Sequence, residues 1–316
     1  MSTHTCDVIK IKLEPHPNAQ NLSIVHIGGY ECAVRTADWK DGDLATFIPP
    51  ESVCPDIPDF AFLNGHFRIR VKKFRGRYSQ GLLMPAPLGA KEGDDVMEQM
   101  GITHYEPPLP MSTGGDNEIG PPGFFPKYDV ENFNRYGHLF EHGEEVVITE
   151  KLHGSNALYI FWNGRIWAGS RTNWKKEDEK NIWWKGLRQN PWIETWCKDH
   201  PGLVVYGEIF GFQNLKYGAG QNDIFFRAFD ILNHMNWLNY SESRIIGLGL
   251  EWVPLVYKGP FNETLIREFA ELDSLIPGAK HKREGIVVKP IKERQDPRCG
   301  RVQLKIVSNR YLAKAE

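Results

Sequence analysis

The segment Glu150–Asn156 (EKLHGSN) contains the residues whose types and spacing are best suited to chemistry. Lys151 follows a Val- and Ile-rich run, so we expect it at a strand end or in the next turn. A lysine becomes a good nucleophile when burial or neighbouring cations lower its pKa. Gly154 would let the backbone approach a bound nucleotide closely, and Asn156 supplies an amide for the sugar.

Two elements after Lys151 carry polar residues that suit such a site. The Asn163-Gly164 dipeptide predicts a β-hairpin, and Arg171 follows its second strand, where it could hold ribose or phosphate oxygens. Glu208 lies in an apolar run that reads as a buried strand. A buried carboxylate needs a partner, and a ribose hydroxyl or a metal-bound water would serve.

The later strands add rings, one acid and two lysines. Phe226 and Phe229 lie in an alternating strand, where each ring could stack on adenine or pack in the core, and both alternatives stay open. Glu284 and Lys289 are five residues apart, so an unbroken strand would point them to opposite faces unless a bulge or the strand end intervenes. Lys305 lies on the polar face of a strictly alternating segment.

These motifs, in this order, resemble the collinear motifs I, Ia, III, IIIa, IV and V of the RNA ligases, which are covalent nucleotidyltransferases. They are KLHGSN at 151–156, SR at 170–171, YGEIFG at 206–211, FRAFDI at 226–231, EGIVVK at 284–289 and QLK at 303–305. The domain order is similar to that of ATP-dependent RNA ligases with an N-terminal OB domain, as in RNA ligase family five.

The resemblance implies a role for each residue. Lys151 would attack the α-phosphorus of ATP and hold AMP as a phosphoramidate, and Glu284, with Glu208, would position Mg²⁺ (or Mn²⁺). Lys289 and Lys305 would contact the α-phosphate. The nucleotide-binding residues would be Glu150, His153, Gly154, Asn156, Arg171, Glu208, Phe226, Phe229, Lys289 and Lys305.

Two positions depart from the family pattern. Many ligases have Asp where this chain has His153, and a protonated imidazole cannot hold metal-bound waters in the same way. Motif V in many relatives has two lysines, whereas only Lys305 fits here. The metal shell and one phosphate contact are therefore left open.

The composition sets broad limits. The 316 residues suggest two domains, and the net charge of −2 confines any nucleic-acid binding to local patches. Five scattered cysteines without a CxxC pair argue against a disulfide framework or a zinc ribbon. Because no leader or membrane-length apolar run is present, we expect a cytoplasmic monomer, or a nuclear one in a eukaryote, without a membrane partner.

The fold class that we expect is α+β. Residues 1–104 read as short strands of an OB-like β-barrel, residues 105–126 as a Pro- and Gly-rich linker, and residues 127–316 as a nucleotidyltransferase domain of ATP-grasp-like antiparallel sheets with helices. The turn His16-Pro17-Asn18 resembles that of tRNA-binding OB modules, and we interpret His16 as a local cap.

A basic row in the first domain predicts nucleic-acid binding. Its segment contains no acid, and at strand period one face is cationic while the other is apolar. A charged edge strand that resists aggregation is the alternative interpretation. The basic residues are Arg68, Arg70, Lys72, Lys73, Arg75 and Arg77.

The sequence thus predicts an ATP-dependent RNA ligase that seals 3′-OH/5′-phosphate breaks in RNA, as nicks in an RNA duplex or an RNA/DNA hybrid. Another covalent nucleotidyltransferase, a DNA ligase or an mRNA capping enzyme, is the alternative. Those enzymes usually carry the OB domain after the catalytic core. A non-catalytic nucleic-acid-binding protein with a decayed ligase core is the third possibility.

Overall fold

The computed structural model describes residues 3–106 and 116–314, which form two compact units. The N-terminal unit contains residues 3–106, Phe133–Arg135 and Asn309–Lys314, and the second contains residues 116–132 and Tyr136–Ser308. Residues 107–115 of the expected linker lie outside the described residues. Within the described ranges, no helix is long and apolar enough to cross a membrane.

Short antiparallel strands and no long helix make up the N-terminal unit, as predicted. Its ten strands are β1 (Val8–Lys10), β2 (Glu14–Pro15), β3 (Leu22–Ile27), β4 (Tyr30–Arg35), β5 (Leu44–Ile48), β6 (Ser52–Val53), β7 (Lys72–Phe74), β8 (Arg77–Ser79), β9 (Leu82–Pro85) and β10 (Thr103–His104). They pair in the orders β1-β5-β9, β2-β3-β4, β6-β10 and β7-β8. Two 3₁₀ turns, Thr36–Asp38 and Pro58–Leu63, connect them. One apolar cluster surrounds Phe47 and another surrounds Phe60.

The basic segment forms less strand than its pattern predicts. Lys72–Phe74 forms β7 and Arg77 begins β8, but residues 69–71 are not in a strand and Arg68 makes a single bridge to Val53. The alternation itself holds, because Ile69 and Val71 are buried while Arg70 is exposed. The apolar face therefore packs inward and the cationic face meets solvent.

The second unit is built from two larger sheets. Its strands are β11 (Asn117–Glu118), β12 (Glu131–Asn132), β13 (Glu145–Lys151), β14 (Gly154–Trp162), β15 (Arg165–Ser170), β16 (Trp174–Lys175), β17 (Leu203–Phe210), β18 (Phe225–Asn233), β19 (Asn236–Trp237), β20 (Leu255–Pro260), β21 (Gly285–Pro290), β22 (Gln295–Asp296), β23 (Gly300–Arg301) and β24 (Leu304–Val307). The seven-stranded sheet has the order β11-β16-β15-β14-β17-β18-β19, and the five-stranded sheet has the order β12-β24-β21-β13-β20.

The helices are short. They are α1 (Phe133–Tyr136), α2 (Ile182–Gln189), α3 (Trp192–Asp199), α4 (Tyr240–Ile246), α5 (Glu263–Phe269) and α6 (Asn309–Lys314). A 3₁₀ turn, Gly137–Leu139, follows α1.

The seven-stranded sheet has a different apolar layer on each face. The first face packs against α2 and α3, whose Trp183, Trp184 and Trp196 are buried. Leu158 and Tyr206 lie in the layer on the opposite face. The predicted hairpin is also present, because β14 and β15 pair through a turn with positive φ at both central residues.

Candidate active site

The central feature of the site is a crossover between the two sheets. Lys151 is the last residue of β13 in the five-stranded sheet, and Gly154 begins β14 in the seven-stranded sheet. Lys151 pairs with Gly285, and Asn156 pairs with Glu208. The chain therefore carries the lysine and its neighbours from one sheet to the other within a few residues.

Gly154 is required by the packing of β14 against β17. A Cβ atom at this position would lie 2.1 Å from the carbonyl oxygen of Ile209. The Gly154 N–H also hydrogen-bonds the Glu208 carboxylate. The close backbone approach predicted at Gly154 is thus an approach to the neighbouring strand.

Lys151 points at a carboxylate. Its Nζ donates to Glu284 Oε1 at 2.7 Å, and the lysine side chain is only 26% exposed. Glu284 can reach it because Glu284 lies in the bend just before β21, so the strand end removes the predicted opposite-face conflict. His153 Nδ1 lies 3.9 Å from the other oxygen, Oε2, of Glu284.

The charges around Lys151 set its protonation. Burial by itself would lower the pKa of Lys151, but the Glu284 and Glu208 carboxylates outweigh it and the pKa is raised. The amine of the free protein is therefore an ammonium, contrary to the lowered pKa that we expected of a nucleophile. Burial raises the pKa of Glu208 to about 8, although Lys151 opposes this shift.

Lys305 and Arg171 are the two other basic residues that the sequence predicted for this site. Burial and the Lys151 charge lower the pKa of Lys305, which also interacts electrostatically with Glu284 and Arg171. Arg171 Nη2 donates to Asp129 Oδ1. Lys151, Glu208, Glu284 and Lys305, from strands far apart in the chain, thus influence one another electrostatically, and Arg171 influences Lys305.

Two buried polar atoms of the site, Glu284 Oε2 and Asn156 Oδ1, have no hydrogen-bond partner. Because buried polar atoms are nearly always satisfied, both are suited to a ligand. A carboxylate oxygen suits a divalent cation, and an amide oxygen suits a sugar hydroxyl. The described residues hold no cluster of three or more His, Cys, Asp or Glu side chains fit for a metal ion, so nucleotide phosphates and water would have to complete its shell.

Comparisons with known proteins agree with this geometry. A family model described as RNA ligase matches residues 144–307, more than half of the 316-residue chain. The chain belongs to the RNA ligase family. A second model, an OB-fold domain, matches residues 5–86 of this RNA ligase and confirms the predicted α+β fold with an N-terminal OB domain. A search of curated proteins finds no match.

Solved structures of the Naegleria gruberi RNA ligase are similar over nearly the whole chain. A mutant with ATP and Mn is 25% identical, with a TM-score of 0.82 and 98% of each chain covered. The complex with PPi is 25% identical, with a TM-score of 0.83 and 99% of each chain covered. An apo mutant is 26% identical, with a TM-score of 0.82, 100% of this chain and 99% of the other.

The two candidate phenylalanines of the ligase lie in different surroundings. Phe226 is fully buried in the layer beneath α2 and α3, against Tyr159 and Trp192. A register shift between β17 and β18 leaves Phe229 as an extra residue, since Tyr206 pairs with Asp230 and Gly207 with Ala228. Phe229 is half-buried, packs in the cluster that contains Leu152, and has its ring centroid 4.2 Å from that of Tyr128.

Lys289 and Glu150 are not brought to Lys151. Lys289 pairs with Val147, which is four residues from Lys151 on β13, or about 13 Å at strand rise. Its Nζ donates to the fully buried Asp230. Glu150 points to the other face, where it accepts hydrogen bonds from Ser274 Oγ at 2.6 Å and the Leu275 N–H at 2.7 Å. These contacts favour structural roles over the predicted nucleotide contacts.

Two residues near the site were missed by sequence reasoning. Tyr217 Oη accepts a hydrogen bond from the His153 N–H at 2.8 Å, and its ring packs edge-on against His281. Asp129 binds Arg171 from the segment before β12. Neither lies in a strand pattern or a recognised motif, so no local signal marked them.

Proposed function

We propose that this RNA ligase seals 3′-OH/5′-phosphate breaks, and nicks in particular, through a lysyl-AMP intermediate on Lys151. The observation that carries the proposal is the buried Lys151 amine, 2.7 Å from Glu284 and grouped with Glu208, Lys305 and Arg171. ATP as the adenylate donor is supported by the Naegleria structures, one of which holds ATP and Mn and another AMP and Mn.

The first step needs placement more than covalent machinery. The Lys151 ammonium loses one proton to solvent, and its amine attacks the α-phosphorus. A nitrogen–phosphorus bond forms with loss of a second proton to solvent, and the bond from the α-phosphorus to the β-phosphate oxygen breaks to release pyrophosphate. Lys305 and Arg171 would offset negative charge on the phosphates as that bond breaks. Asn156 and Glu208, paired across β14 and β17, would hold the ribose.

A divalent metal ion fits the unpartnered Glu284 oxygen, and Glu208 is the second carboxylate beside it. When bound, such an ion would neutralise phosphate charge and favour the deprotonated amine. Glu284 and Glu208 would hold the ion, and its positive charge would offset the carboxylate charge that raises the pKa of Lys151.

In the later steps AMP would move to the 5′-phosphate end, and the 3′-OH would displace it to close the break. The N-terminal unit would hold the RNA through its basic row. Arg68 and Arg77 are paired with Glu51 and Glu31, so they contribute less than predicted. Docking would depend on Arg70, Lys72, Lys73 and Arg75. One chain carries every residue of this scheme, which suits a monomer.

Mass spectrometry after incubation with ATP and Mg²⁺ tests the first step. We expect one AMP adduct on the native chain, none on Lys151→Ala, and a normal adduct on Lys185→Ala, which removes an exposed lysine of α2. An adduct on Lys151→Ala would overturn the proposal. A GMP adduct from GTP alone would indicate capping chemistry, and sealing of only all-DNA nicks would indicate a DNA ligase.

A double variant tests the docking role of the row. Arg70→Ala with Lys72→Ala should reduce sealing of nicked RNA duplexes about tenfold or more, because each lost phosphate contact weakens binding, while AMP adduct formation stays near native. Lys10→Ala with Lys12→Ala removes the same charge from the same unit and is the control. Equal loss of adduct formation and sealing would contradict a docking role.

A further inference from the structure

The tip of the basic hairpin β7–β8 exposes an aromatic ring. Phe74 is 41% exposed, and among the described residues no other ring contacts it. It shares the strand face of Arg70 and Lys72, with about 6.8 Å between alternate residues. Arg77 lies directly opposite it on β8. A large apolar side chain thus occupies the same outward face as the cationic row.

The hairpin tip is held in one shape. Its turn residues Arg75 and Gly76 have φ values of 45° and 93°, as a tight two-residue turn requires. Asn18 Nδ2 donates to the Arg75 carbonyl at 2.9 Å. The Asn18 N–H in turn donates to Nδ1 of the buried His16, at 3.1 Å, which confirms His16 as a local cap. The His16-Pro17-Asn18 turn therefore braces the tip that presents Phe74.

The charge around Phe74 restricts what can cover it. Arg77, opposite Phe74, is paired with Glu31 at 2.8 Å, but within the described part of the chain no carboxylate lies within salt-bridge distance of Arg70, Lys72, Lys73 or Arg75. A second copy of this surface would bring like charges together, which disfavours self-association. A polyanion with flat apolar groups matches both the cations and the ring, and in an RNA ligase that polyanion is RNA.

We propose that Phe74 is a stacking platform for an RNA base left unstacked at the break, held in place by the turn at Asn18 and flanked by phosphate-binding cations. This inference rests on the proposed docking role of the basic row and adds a specific contact to it. Aromatic rings on a rigid, positively charged surface bind single-stranded nucleic acid by stacking, because every base offers a π-face. A pre-formed tip loses little conformational freedom on binding.

The salt dependence of RNA binding distinguishes a stacking contribution to affinity from an electrostatic one. The affinity of the full chain for a nicked RNA duplex is measured by fluorescence anisotropy over a range of KCl concentrations, without ATP, so that no sealing occurs. We expect Phe74→Ala to weaken binding about tenfold at every salt concentration, with an unchanged slope of log affinity against log salt. Lys72→Ala should instead reduce that slope by about one.

Matched variants define the contact. Phe74→Trp should bind at least as tightly as the native chain, and Phe74→Leu should fall between native and Phe74→Ala, because leucine keeps apolar area but has no π-face. Phe62→Ala removes another exposed ring of the same unit, 54% exposed, and should leave binding unchanged. Asn18→Ala should weaken binding less than Phe74→Ala does, since it only loosens the tip.

Several results would overturn the proposal. Native affinity in Phe74→Ala, or full affinity in Phe74→Leu, would show that no ring stacks on RNA. Equal weakening on a continuous duplex of the same sequence would show that the ring does not read the break. Phe74-dependent binding to phosphatidylserine vesicles, without an effect on RNA, would assign the hairpin to a membrane surface.

The proposed function can fail independently of this inference, because the binding measurement needs neither ATP nor Lys151. A native chain without an AMP adduct but with Phe74-dependent RNA binding would refute only the lysyl-AMP scheme. Folding of each variant is checked by its thermal unfolding midpoint, which exposed substitutions should leave unchanged.

Discussion

Two lysines on one face of the five-stranded sheet have opposite surroundings. Lys151 bonds to Glu284 at the strand end, where Glu284 Oε2 and Asn156 Oδ1 are left without partners. Lys289 lies about 13 Å further along the strands. It belongs to a buried cluster in which Asp230 also accepts from Tyr128 and pairs with Arg301 at 2.9 Å.

This difference shows how a motif lysine that is available to a ligand can be distinguished from one that stabilises the fold. Burial alone would raise the pKa of Asp230, but Arg301 and Lys289 lower it, and Glu293 pairs with the same two cations, so the cluster balances two acids with two bases. The site at Lys151 instead leaves two acceptor atoms, Glu284 Oε2 and Asn156 Oδ1, without hydrogen-bond partners. Unpartnered acceptors can bind a ligand, whereas a buried cluster with balanced charges stabilises the fold even though Arg301 Nη1 has no hydrogen-bond partner.

The largest expected effect is on the free energy of unfolding when each of the two lysines is replaced by methionine. Lys289→Met should lower the free energy of unfolding by about 3–5 kcal/mol, because it leaves Asp230 short of a buried partner. Lys151→Met should change it far less, since Lys151 is part-exposed and an acid beside it can take up a proton. Chemical denaturation measures both.

The same two variants also test whether each lysine is needed for formation of the AMP adduct. Lys289→Met that remains folded should still form the AMP adduct, whereas Lys151→Met should form none. If folded Lys289→Met formed no AMP adduct, that result would support the phosphate contact that the sequence predicted for Lys289. Unfolding free energies that fall equally in the two variants would contradict the comparison.

A smaller effect concerns the protonation of Lys151. Carboxylates raise its pKa, so Glu284→Gln should lower that pKa and let the amine react at lower pH. The pKa of Lys151 can be measured by treating the ligand-free protein with an amine-reactive acylating reagent at a series of pH values. Peptide mass spectrometry then gives the extent of modification of each lysine. The midpoint for Lys151 should move to lower pH while that of Lys185 stays fixed. An unmoved Lys151 midpoint would show that Glu284 does not set its charge.

The smallest effect should come from the pair of Arg171 with Asp129. Asp129→Asn removes the charge that orients Arg171, and a partly exposed pair contributes about 0.2–1 kcal/mol. We therefore expect the KM for ATP to rise about two- to fivefold with kcat unchanged. Glu118→Gln is the control, because Glu118 pairs with Arg165 in the same sheet at 2.8 Å. A lower KM in Asp129→Asn would mean that Asp129 competes with the nucleotide.

Local patterns predicted the elements that depend on local physics. The Asn163-Gly164 turn and the alternation of buried Ile69 and Val71 with exposed Arg70 follow from backbone preference and apolar periodicity. The motifs of the site also came from the sequence, since Lys151 lies 2.7 Å from Glu284 and interacts electrostatically with Glu208 and Lys305.

Other features could not be predicted because they depend on distant partners. The charge of Lys289 is neutralised by Asp230 from another sheet, and Arg77 is paired with Glu31 from β4. The register shift that separates Phe229 from Phe226 is a property of β17 and β18 together. No single segment contains that information.

The sequence by itself determined the family, the order of the motifs and the choice of Lys151 as the candidate nucleophile, because those reside in residue types and spacing. Only the tertiary structure decided which charged groups stay available for a ligand, since that depends on which partners the fold brings within hydrogen-bonding reach. Lys151 and Lys289 have the same side chain and lie on the same sheet face. Their neighbours across the sheets differ: Lys151 donates to Glu284 at the strand end, and Lys289 donates to the buried Asp230.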